Sequence, residues 1–376
     1  MSAPGTAPLG IAVAGAGVIG RRHIELIQAN PRTRLCAVVD PQAASRDFAA
    51  GLGVPHFASL DELFAGPAEA QPDGVILATP NHLHVPGALA CARQGLPALI
   101  EKPVADSLQA GLQLAETLAK QPVPMLVGHH RRHSSTLQAA RRAIESGMLG
   151  RVVTVTGSAQ FYKPDSYFEQ GPWRTQAGGG PILINLIHEM DNLRYLCGEL
   201  ESVHAVASNA VRQFAVEDTA VMTLKFASGA LGSFTLSDTV ASPRSWEQTS
   251  GENTAYARDA SQDCYFIAGT QGSLAVPTMH IWNYDPQSQG EPGWMTPFTE
   301  KNIALDAVDP LQAQLDHFCD LIAGKAGPII TVADALQSLL AVEAVRRSIA
   351  TGKTIALRDL ALNPGQPEET LERLAS

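Results

Sequence analysis

The sequence predicts an α/β protein of two domains: a doubly wound parallel sheet at the N-terminus, then an α+β domain with an open, mostly antiparallel sheet. Three observations carry this prediction. Short, nearly all-apolar runs alternate with helical stretches in the first third of the chain. A glycine-rich turn follows the first of these runs. Beyond residue 150, strand candidates follow one another without helices between most of them.

The first domain, residues 1–128, is predicted from strands that are buried on both faces. Such strands form continuous apolar runs, because helices cover the sheet on each side. Runs of this kind occupy residues 9–14, 34–39, 74–78, 98–100 and 125–127. Helices are predicted at 19–29, 43–51, 85–94 and 108–120, and a further one begins where Ser59 and Glu62 can form a capping box. Alternating strands and helices predict right-handed crossovers and therefore a parallel sheet.

The second domain, residues 129–376, shows a different pattern. Its strand candidates are 151–156, 203–207, 220–226, 230–236 and 265–268, and its helix candidates are 137–146, 184–196, 311–323 and 332–350. Closely spaced strands favour antiparallel pairing. A broad apolar sheet face that helices leave open needs cover, so we expect a homo-oligomer, either a dimer or a tetramer, formed through this sheet.

Composition narrows the function classes. The 376 residues are 45% hydrophobic and 17% charged, which suits a globular protein with a sizeable core. A net charge of −10 without a dense Lys/Arg run argues against nucleic acid or an anionic membrane as partner and favours a small molecule. The five dispersed cysteines are typical of reduced thiols. With no apolar stretch of the roughly 20 residues that span a bilayer, and no signal peptide pattern, we expect a cytoplasmic protein.

The turn Gly15-x-Gly17-x-x-Gly20 is predicted to bind the pyrophosphate of a dinucleotide. It follows an apolar strand and opens a helix. Its glycines let backbone amides, including those of Val18 and Ile19, approach a phosphate whose charge the helix N-terminus stabilises.

Asp40 ends the second strand, 20 residues after Gly20. A carboxylate at this place accepts hydrogen bonds from an adenosine ribose and repels a 2′-phosphate, so NAD is predicted rather than NADP. Strand, glycine turn, helix and acid together indicate a Rossmann dinucleotide-binding domain.

Polar residues follow two further strands of this domain. Thr79, Asn81 and His84 come after one, and Glu101 and Lys102 come after the next. Ligands of open α/β sheets bind outside the carboxyl ends of the strands, so all five are candidate cofactor contacts. Lys102 could exchange a proton with a substrate hydroxyl beside the nicotinamide. It could equally be a solvated lysine that pairs with Glu101.

The ordered set of motifs resembles the glucose–fructose oxidoreductase, inositol dehydrogenase and MocA (Gfo/Idh/MocA) family. The resemblance implies NAD(P)-linked oxidation or reduction at a carbinol carbon of a sugar, polyol or related cyclic compound. It also implies that Lys102 is catalytic and binds substrate, and that the Lys102–Pro103 peptide is a candidate for a cis bond. The motifs are the glycine turn, Thr79-Pro80, Glu101-Lys102-Pro103, and Gly178-Gly179-Gly180 followed by His188.

The helix after the glycine run is predicted to carry a second catalytic group. Asn185, His188 and Asp191 are spaced by three and share one side of this helix. His188 is a candidate general acid or base, with Asn185 and Asp191 as candidate substrate contacts. Without the resemblance, a buried core histidine with a solvated aspartate is the favoured alternative. Relatives commonly have an aspartate four residues before the histidine, where this chain has Ile184, and the substrate specificity therefore stays open.

Tyr162, Arg174 and Arg131 are further candidates for substrate binding. Tyr162 and Lys163 end a strand that faces the expected cleft, where plain surface roles are equally open. Arg174 lies in a segment that resembles one reaching the cofactor in relatives, and Arg131 could bind an anionic group. The histidines at 129, 130 and 133 lack a correctly spaced carboxylate, so no metal site is predicted.

The leading interpretation is an NAD-dependent dehydrogenase of a hydroxylated ring or sugar-like substrate. One alternative is a dehydrogenase of an aromatic-pathway cis-dihydrodiol carboxylate, with Arg131 or Arg174 as the carboxylate partner. The others are a dinucleotide-binding regulator without catalysis and a glycosidase that removes and returns a hydride within one turnover.

Overall fold

The structure, a computed structural model, describes residues 7–284, 291–305 and 308–362. They form two compact units. The first comprises residues up to His130 together with Pro310–Leu336, and the second comprises Arg131–Asp309 and the residues from Gln337 onward. The change of unit after His130 lies close to the expected boundary at 128. The expected continuous second domain, however, contains a segment that belongs to the first unit.

The first unit is built on a parallel sheet, as predicted, and this sheet has a sixth strand, β3, beside the five predicted ones. Its strands are β1 (Leu9–Ala14), β2 (Thr33–Val39), β3 (His56–Phe57), β4 (Gly74–Leu77), β5 (Ala98–Glu101) and β6 (Met125–Gly128). Its helices are α1 (Val18–Ala29), α2 (Ala43–Gly51), α3 (Leu60–Phe64), α4 (His84–Arg93) and α5 (Leu108–Lys120). The strand order β3-β2-β1-β4-β5-β6 reverses direction between β1 and β4, which is where open α/β sheets bind ligands.

The elements of this unit form for the reasons that the sequence suggests. Every residue of β4, β5 and β6 is buried, as expected of strands covered on both faces. The capping box at α3 is present: Ser59 Oγ accepts from the Glu62 amide at 3.2 Å, and Glu62 Oε2 accepts from the Ala58 amide at 2.9 Å.

A late helix completes the first unit. Helix α11 (Pro310–Ile322) places the fully buried Phe318 in the core beside residues of β1 and α1. Asn30 Nδ2 donates to Asp316 Oδ1 at 2.9 Å, and Arg32 forms an ion pair with Asp320 at 2.5 Å. The helix predicted at 311–323 is present, but its assignment to the sheet of the second domain was wrong, because its apolar side packs in the core of the first unit.

The second unit carries a nine-stranded sheet in the order β14-β13-β12-β11-β7-β10-β9-β8-β15. Among the described strands, β7 and β10 pair in parallel and the other neighbours pair antiparallel, so the prediction of a mostly antiparallel sheet is confirmed. The strands are β7 (Val152–Gln160), β8 (Leu200–Ser208), β9 (Thr219–Phe226), β10 (Leu231–Ser237), β11 (Tyr265–Gly269), β12 (Gly272–Val276), β13 (His280–Asn283), β14 (Thr299–Asn302) and β15 (Ile355–Ala356).

The sheet of the second unit has one buried and one open face. Along β9, buried Ala220, Met222 and Leu224 alternate with exposed Val221 and Thr223. This period-two pattern is typical of a sheet that helices cover on one side only. The other helices of the chain are α6 (Ser135–Glu145), α7 (Asp165–Glu169), α8 (Gly180–Ile184), α9 (Leu186–Cys197), α10 (Trp246–Ser250), α12 (Val332–Thr351) and α13 (Leu357–Leu362). None of the described helices is long and apolar enough to cross a membrane.

Candidate functional site

The glycine turn between β1 and α1 needs glycine at two positions for internal reasons. Gly15 has φ +94°, and a Cβ there would lie 2.4 Å from the Ala78 carbonyl oxygen. A Cβ on Gly20 would lie 1.9 Å from the Gly15 carbonyl oxygen. These glycines allow the tight turn and the close approach of helix to strand.

Gly17 has no such internal reason. Its φ of −73° suits any residue, and a Cβ there would meet no atom within 4 Å. Gly17 is the N-cap residue of α1, but it has no side chain that could accept a hydrogen bond from the first turn, and this turn carries no acidic side chain. The adjoining Val18 is 94% exposed. The backbone amides at this helix N-terminus have no side-chain cap and lie next to open space. Such amides are suited to bind the pyrophosphate of a dinucleotide.

Asp40 lies at the end of β2, beside this turn. Its Oδ2 accepts from the Ala16 amide at 2.9 Å, and its Oδ1 accepts from the Gln42 amide at 2.8 Å. A carboxylate has about four acceptor positions, so lone pairs remain for ribose hydroxyls. Asp40 therefore both braces the turn and fits the predicted ribose contact.

His84 has a different role from the expected cofactor contact. Its ring is 1% exposed, with Nδ1 at 2.7 Å from the Pro103 carbonyl oxygen and Nε2 at 2.9 Å from that of Thr79. Buried polar rings require such partners. His84 thus joins the chain segments that follow β4 and β5, and Asn81 is the exposed side chain of this segment, whereas the Thr79 hydroxyl is buried.

Glu101, also expected at the cofactor, is directed into the protein. Its Oε1 lies 2.7 Å from Nε2 of His23, on α1, and its Oε2 accepts from the Lys102 amide at 3.2 Å. Burial alone would raise the pKa of this carboxyl, but the His23 hydrogen bond and the charges of His23, Lys102 and His130 lower it to about 2. The carboxylate therefore stays ionised and fixes the main chain of Lys102.

Lys102 is half-buried at the carboxyl end of β5, in the same unit as the glycine turn. The Lys102–Pro103 peptide is cis, which confirms that expectation. The first unit thus brings together the glycine turn, Asp40, Thr79 and Lys102 at the carboxyl edge of its sheet.

In the second unit the predicted roles of Asp191 and Arg131 need correction. Asp191 is 1% exposed and receives two hydrogen bonds from Arg132, at 2.7 and 2.9 Å, and one from Ser338 at 3.0 Å. Arg131 is 3% exposed and pairs with Glu189 at 2.7 Å and with Glu247. Buried charges are held by partners, and neither side chain is presented to a substrate.

Asn185 and His188 occupy the first turn of α9, where both are half-buried. The preceding Ile184 is also half-buried and offers no acceptor. Asn185 Oδ1 accepts from Lys163 Nζ at 2.7 Å.

Lys163 follows Tyr162 directly, at the strand end where the sequence left a surface role equally open. Its ammonium lies 3.5 Å from Asp238, and its side chain is 11% exposed. Burial lowers its pKa to about 8 against the attraction of Asp238, and the charges of Arg174 and Arg212 contribute to the fall. Its position at the end of a strand was a visible signal, but its partners lie far along the sequence.

Tyr162 and Arg174 lie near Lys163. Tyr162 is 57% exposed and lines a cavity of about 580 Å³ with Arg212. The Arg174 guanidinium lies 3.9 Å from the ring centre of Tyr167, and its Nη1 donates to the Tyr167 carbonyl oxygen. Both positions are compatible with the predicted substrate contacts.

The first unit can bind a dinucleotide and exchange a proton through Lys102. No group of three or more His, Cys, Asp or Glu side chains that could hold a metal occurs within the described ranges. All five cysteines are buried, and burial raises the thiol pKa of each.

Comparisons with known proteins agree with this geometry. Residues 9–129 match the family model described as "Oxidoreductase family, NAD-binding Rossmann fold", and residues 137–275 match "GFO/IDH/MocA C-terminal domain". The rhizopine catabolism protein MocA of Rhizobium meliloti is 29% identical over 53% of this chain and 60% of its own length. The 1,5-anhydro-D-fructose reductase of Ensifer adhaerens is 26% identical over 78% of this chain and 82% of its own. The WlbA dehydrogenase of Bordetella pertussis, solved with NADH and UDP-GlcNAcA, has a TM-score of 0.73 and 26% identity, over 93% of this chain and 98% of that one.

Proposed function

This chain belongs to the Gfo/Idh/MocA family of oxidoreductases and binds NAD in its Rossmann unit, and we propose that it moves a hydride between NAD and a carbinol carbon of a sugar, polyol or other cyclic hydroxylated substrate. The observation that carries the proposal is the position of Lys102. It lies at a strand end of the NAD-binding unit, with its main chain fixed by a buried carboxylate. The sugar derivatives in the names of the reductase and of the WlbA complex support the substrate class.

The chemistry divides between cofactor and protein. Bound NAD supplies the hydride acceptor. During oxidation the carbinol carbon loses a hydride while its hydroxyl loses a proton, and the neutral amine of Lys102 accepts that proton. In the reverse direction the protonated amine donates it. The glycine turn and Asp40 hold the cofactor, and His188 of the second unit is the other residue that we propose for proton transfer.

Lys102→Met tests this assignment. Steady-state production of NADH from NAD and a panel of sugars, polyols and cyclic diols should fall by roughly 10²–10⁴-fold, since general acid–base groups contribute about that much. NADH affinity, measured by its fluorescence, should not change. Lys120→Met, at the exposed end of α5, is the control. Unchanged turnover in Lys102→Met would remove this lysine from the mechanism, and tight NAD binding without net reduction of any substrate would favour the regulator or the glycosidase.

The open sheet face supports a proposed homo-oligomer. Val221, Leu231 and Phe266 are between 42% and 57% exposed on β9, β10 and β11. Exposed apolar side chains on a broad sheet mark a surface that another subunit covers. A cytoplasmic location stays a prediction.

A further inference from the structure

The hydrogen bond between Lys163 and Asn185 fixes which way the Asn185 amide faces. An ammonium group can only donate, so the amide oxygen must be the atom that faces Lys163. Asn185 Oδ1 is therefore occupied at 2.7 Å, and the amide NH₂ is the part left for a ligand. At the first turn of α9, next to His188, the protein offers hydrogen-bond donors.

The carboxylates near this turn are committed elsewhere. Asp238 accepts from Arg212 Nε at 3.0 Å and pairs with Lys163. Glu217 accepts from the Ile182 amide at 2.9 Å, and burial raises the pKa of its carboxyl. On α9 itself, Glu189 and Asp191 pair with buried arginines. Ile184, which precedes Asn185, supplies no acceptor.

A neutral polyol presents hydroxyl donors, and carboxylate acceptors are their strongest partners. Near Asn185, by contrast, Lys163, Arg174 and Arg212 carry three positive charges, and Lys163 and Arg212 share one buried carboxylate, Asp238. Lys163 is an ammonium with three donors, and Arg174 and Arg212 are close enough to disfavour its charge. A negatively charged oxygen placed here would gain charge-assisted hydrogen bonds and would relieve the repulsion among the three cations.

We propose that Lys163 and Asn185 determine substrate specificity by binding an acceptor oxygen, and that the substrate is a sugar acid or a cyclic hydroxy acid whose carboxylate lies against these two side chains. The inference rests on the proposed function and names the substrate class for the same site. The carboxylate takes no part in bond changes, and the proton-transfer roles proposed above are unchanged.

Matched substrate pairs test the proposal. With NAD, D-glucuronate and D-galacturonate should give higher kcat/KM than D-glucose and D-galactose, and also than myo-inositol. Lys163→Met should reduce the preference for the acids by about 10–100-fold, because a hydrogen bond to a charged group is lost, and it should act mainly on KM. Asn185→Asp replaces donors by an acceptor, and it should weaken the acids while improving the neutral substrates. Lys353→Met, an exposed lysine of the same unit, is the control.

The pH dependence of acid binding is an independent test of the role of Lys163. Acid binding should be constant at neutral pH and should weaken by about tenfold per unit as pH rises beyond about 8, where the ammonium is lost. This loss should be absent in Lys163→Met and for neutral sugars. A preference for neutral sugars, or an acid preference that Lys163→Met leaves unchanged, would overturn the proposal.

Thermal unfolding separates a failure of this inference from a failure of the proposed function. In the presence of NADH, D-glucuronate should raise the Tm of the wild type and of Lys353→Met, but not of Lys163→Met. If none of the substrates yields NADH while this Tm pattern holds, the redox assignment is wrong and the acid site stands. If turnover occurs and the Tm pattern is absent, the acid site is wrong and the oxidoreductase assignment stands.

Discussion

Gly17 differs from the other two glycines of its turn because nothing in the folded chain requires a glycine there. We expect Gly17→Ala to leave the Tm unchanged and to weaken NAD binding by at least tenfold, because the methyl group would occupy the space that the pyrophosphate approaches. Gly51→Ala is a matched control, since a Cβ at Gly51 also meets nothing within 4 Å. NAD titrations measure the NAD affinity of both variants, and calorimetry measures their Tm. Equal NAD affinity in the two variants would mean that no phosphate lies at Gly17.

Glu101 links stability to pH through its buried contact with His23. Its pKa falls from an ordinary 4.5 to about 2, so its contribution is fully present above pH 4.5 and is lost as pH falls toward 2. A shift of this size corresponds to about 3 kcal/mol of unfolding free energy. We expect Glu101→Gln to destabilise the first unit by roughly that amount at pH 7, and by less at pH 3.5. Calorimetry at pH 7 and at pH 3.5 measures how much stability the variant loses at each pH.

The control for this pH dependence is Asp73→Asn. The Asp73 carboxylate accepts from the Gly10 amide at 2.6 Å, at the opposite end of the same sheet. If Glu101→Gln lowers the unfolding free energy by the same amount at pH 7 and at pH 3.5, the charge of Glu101 is not what stabilises the sheet. Glu101→Gln should also lower kcat/KM, since the Lys102 amide loses its charged partner.

At the scale of elements, helix α9 is held by ion pairs on its buried side. Asp191 bonds Arg132 and Ser338, and the buried Arg194 lies 3.8 Å from it. Asp191→Ala leaves buried arginines without this partner, so we expect a loss of about 3–5 kcal/mol in the second unit. All four tryptophans lie between residues 173 and 294, so their fluorescence during urea unfolding reports this unit.

Glu145→Ala is the comparison for Asp191→Ala. Glu145 pairs with Arg141 at 2.6 Å on the exposed side of α6, where such pairs contribute about 0.3–0.5 kcal/mol. If Asp191→Ala were as mild as Glu145→Ala and instead raised the KM for substrate, Asp191 would be a substrate contact, as its spacing from His188 first indicated.

These elements also show what the sequence could predict. The long strands and helices carry their own apolar period, and the glycine turn, Asp40 and the Lys102–Pro103 peptide carry local signals. Arg131, Arg132 and Asp191 do not, because charged residues normally lie on the surface and their burial depends on partners from distant elements. The partners of Lys163 could not be predicted for the same reason: Asn185 and Asp238 are 22 and 75 residues away in the chain. Short strands such as β13 and β15 form because they pair with neighbouring strands of the sheet, and this pairing is not visible in their own few residues.

At the scale of the whole molecule, the open sheet face makes a prediction about assembly. We expect Val221→Glu and Phe266→Glu each to shift the protein toward monomers, because each places a charge in an apolar interface. Sedimentation velocity measures the shift. Met148→Glu changes a similarly exposed apolar residue that belongs to none of the strands, and it should leave the assembly unchanged. A wild type that is already monomeric would end the oligomer proposal.

The contribution of α11 to the first unit has a consequence for protein synthesis. Residues 310–336 leave the ribosome only after the whole segment 131–309 has been made. Synthesis proceeds at about 5–20 residues per second, so on the order of 10–40 seconds pass between the synthesis of the first sheet and that of the helix that supplies Phe318 to its core. During that interval the nascent Rossmann unit exposes apolar surface that the finished protein buries, which makes it a substrate for chaperones. Residues 1–130 made as a separate fragment would carry the same exposed surface permanently.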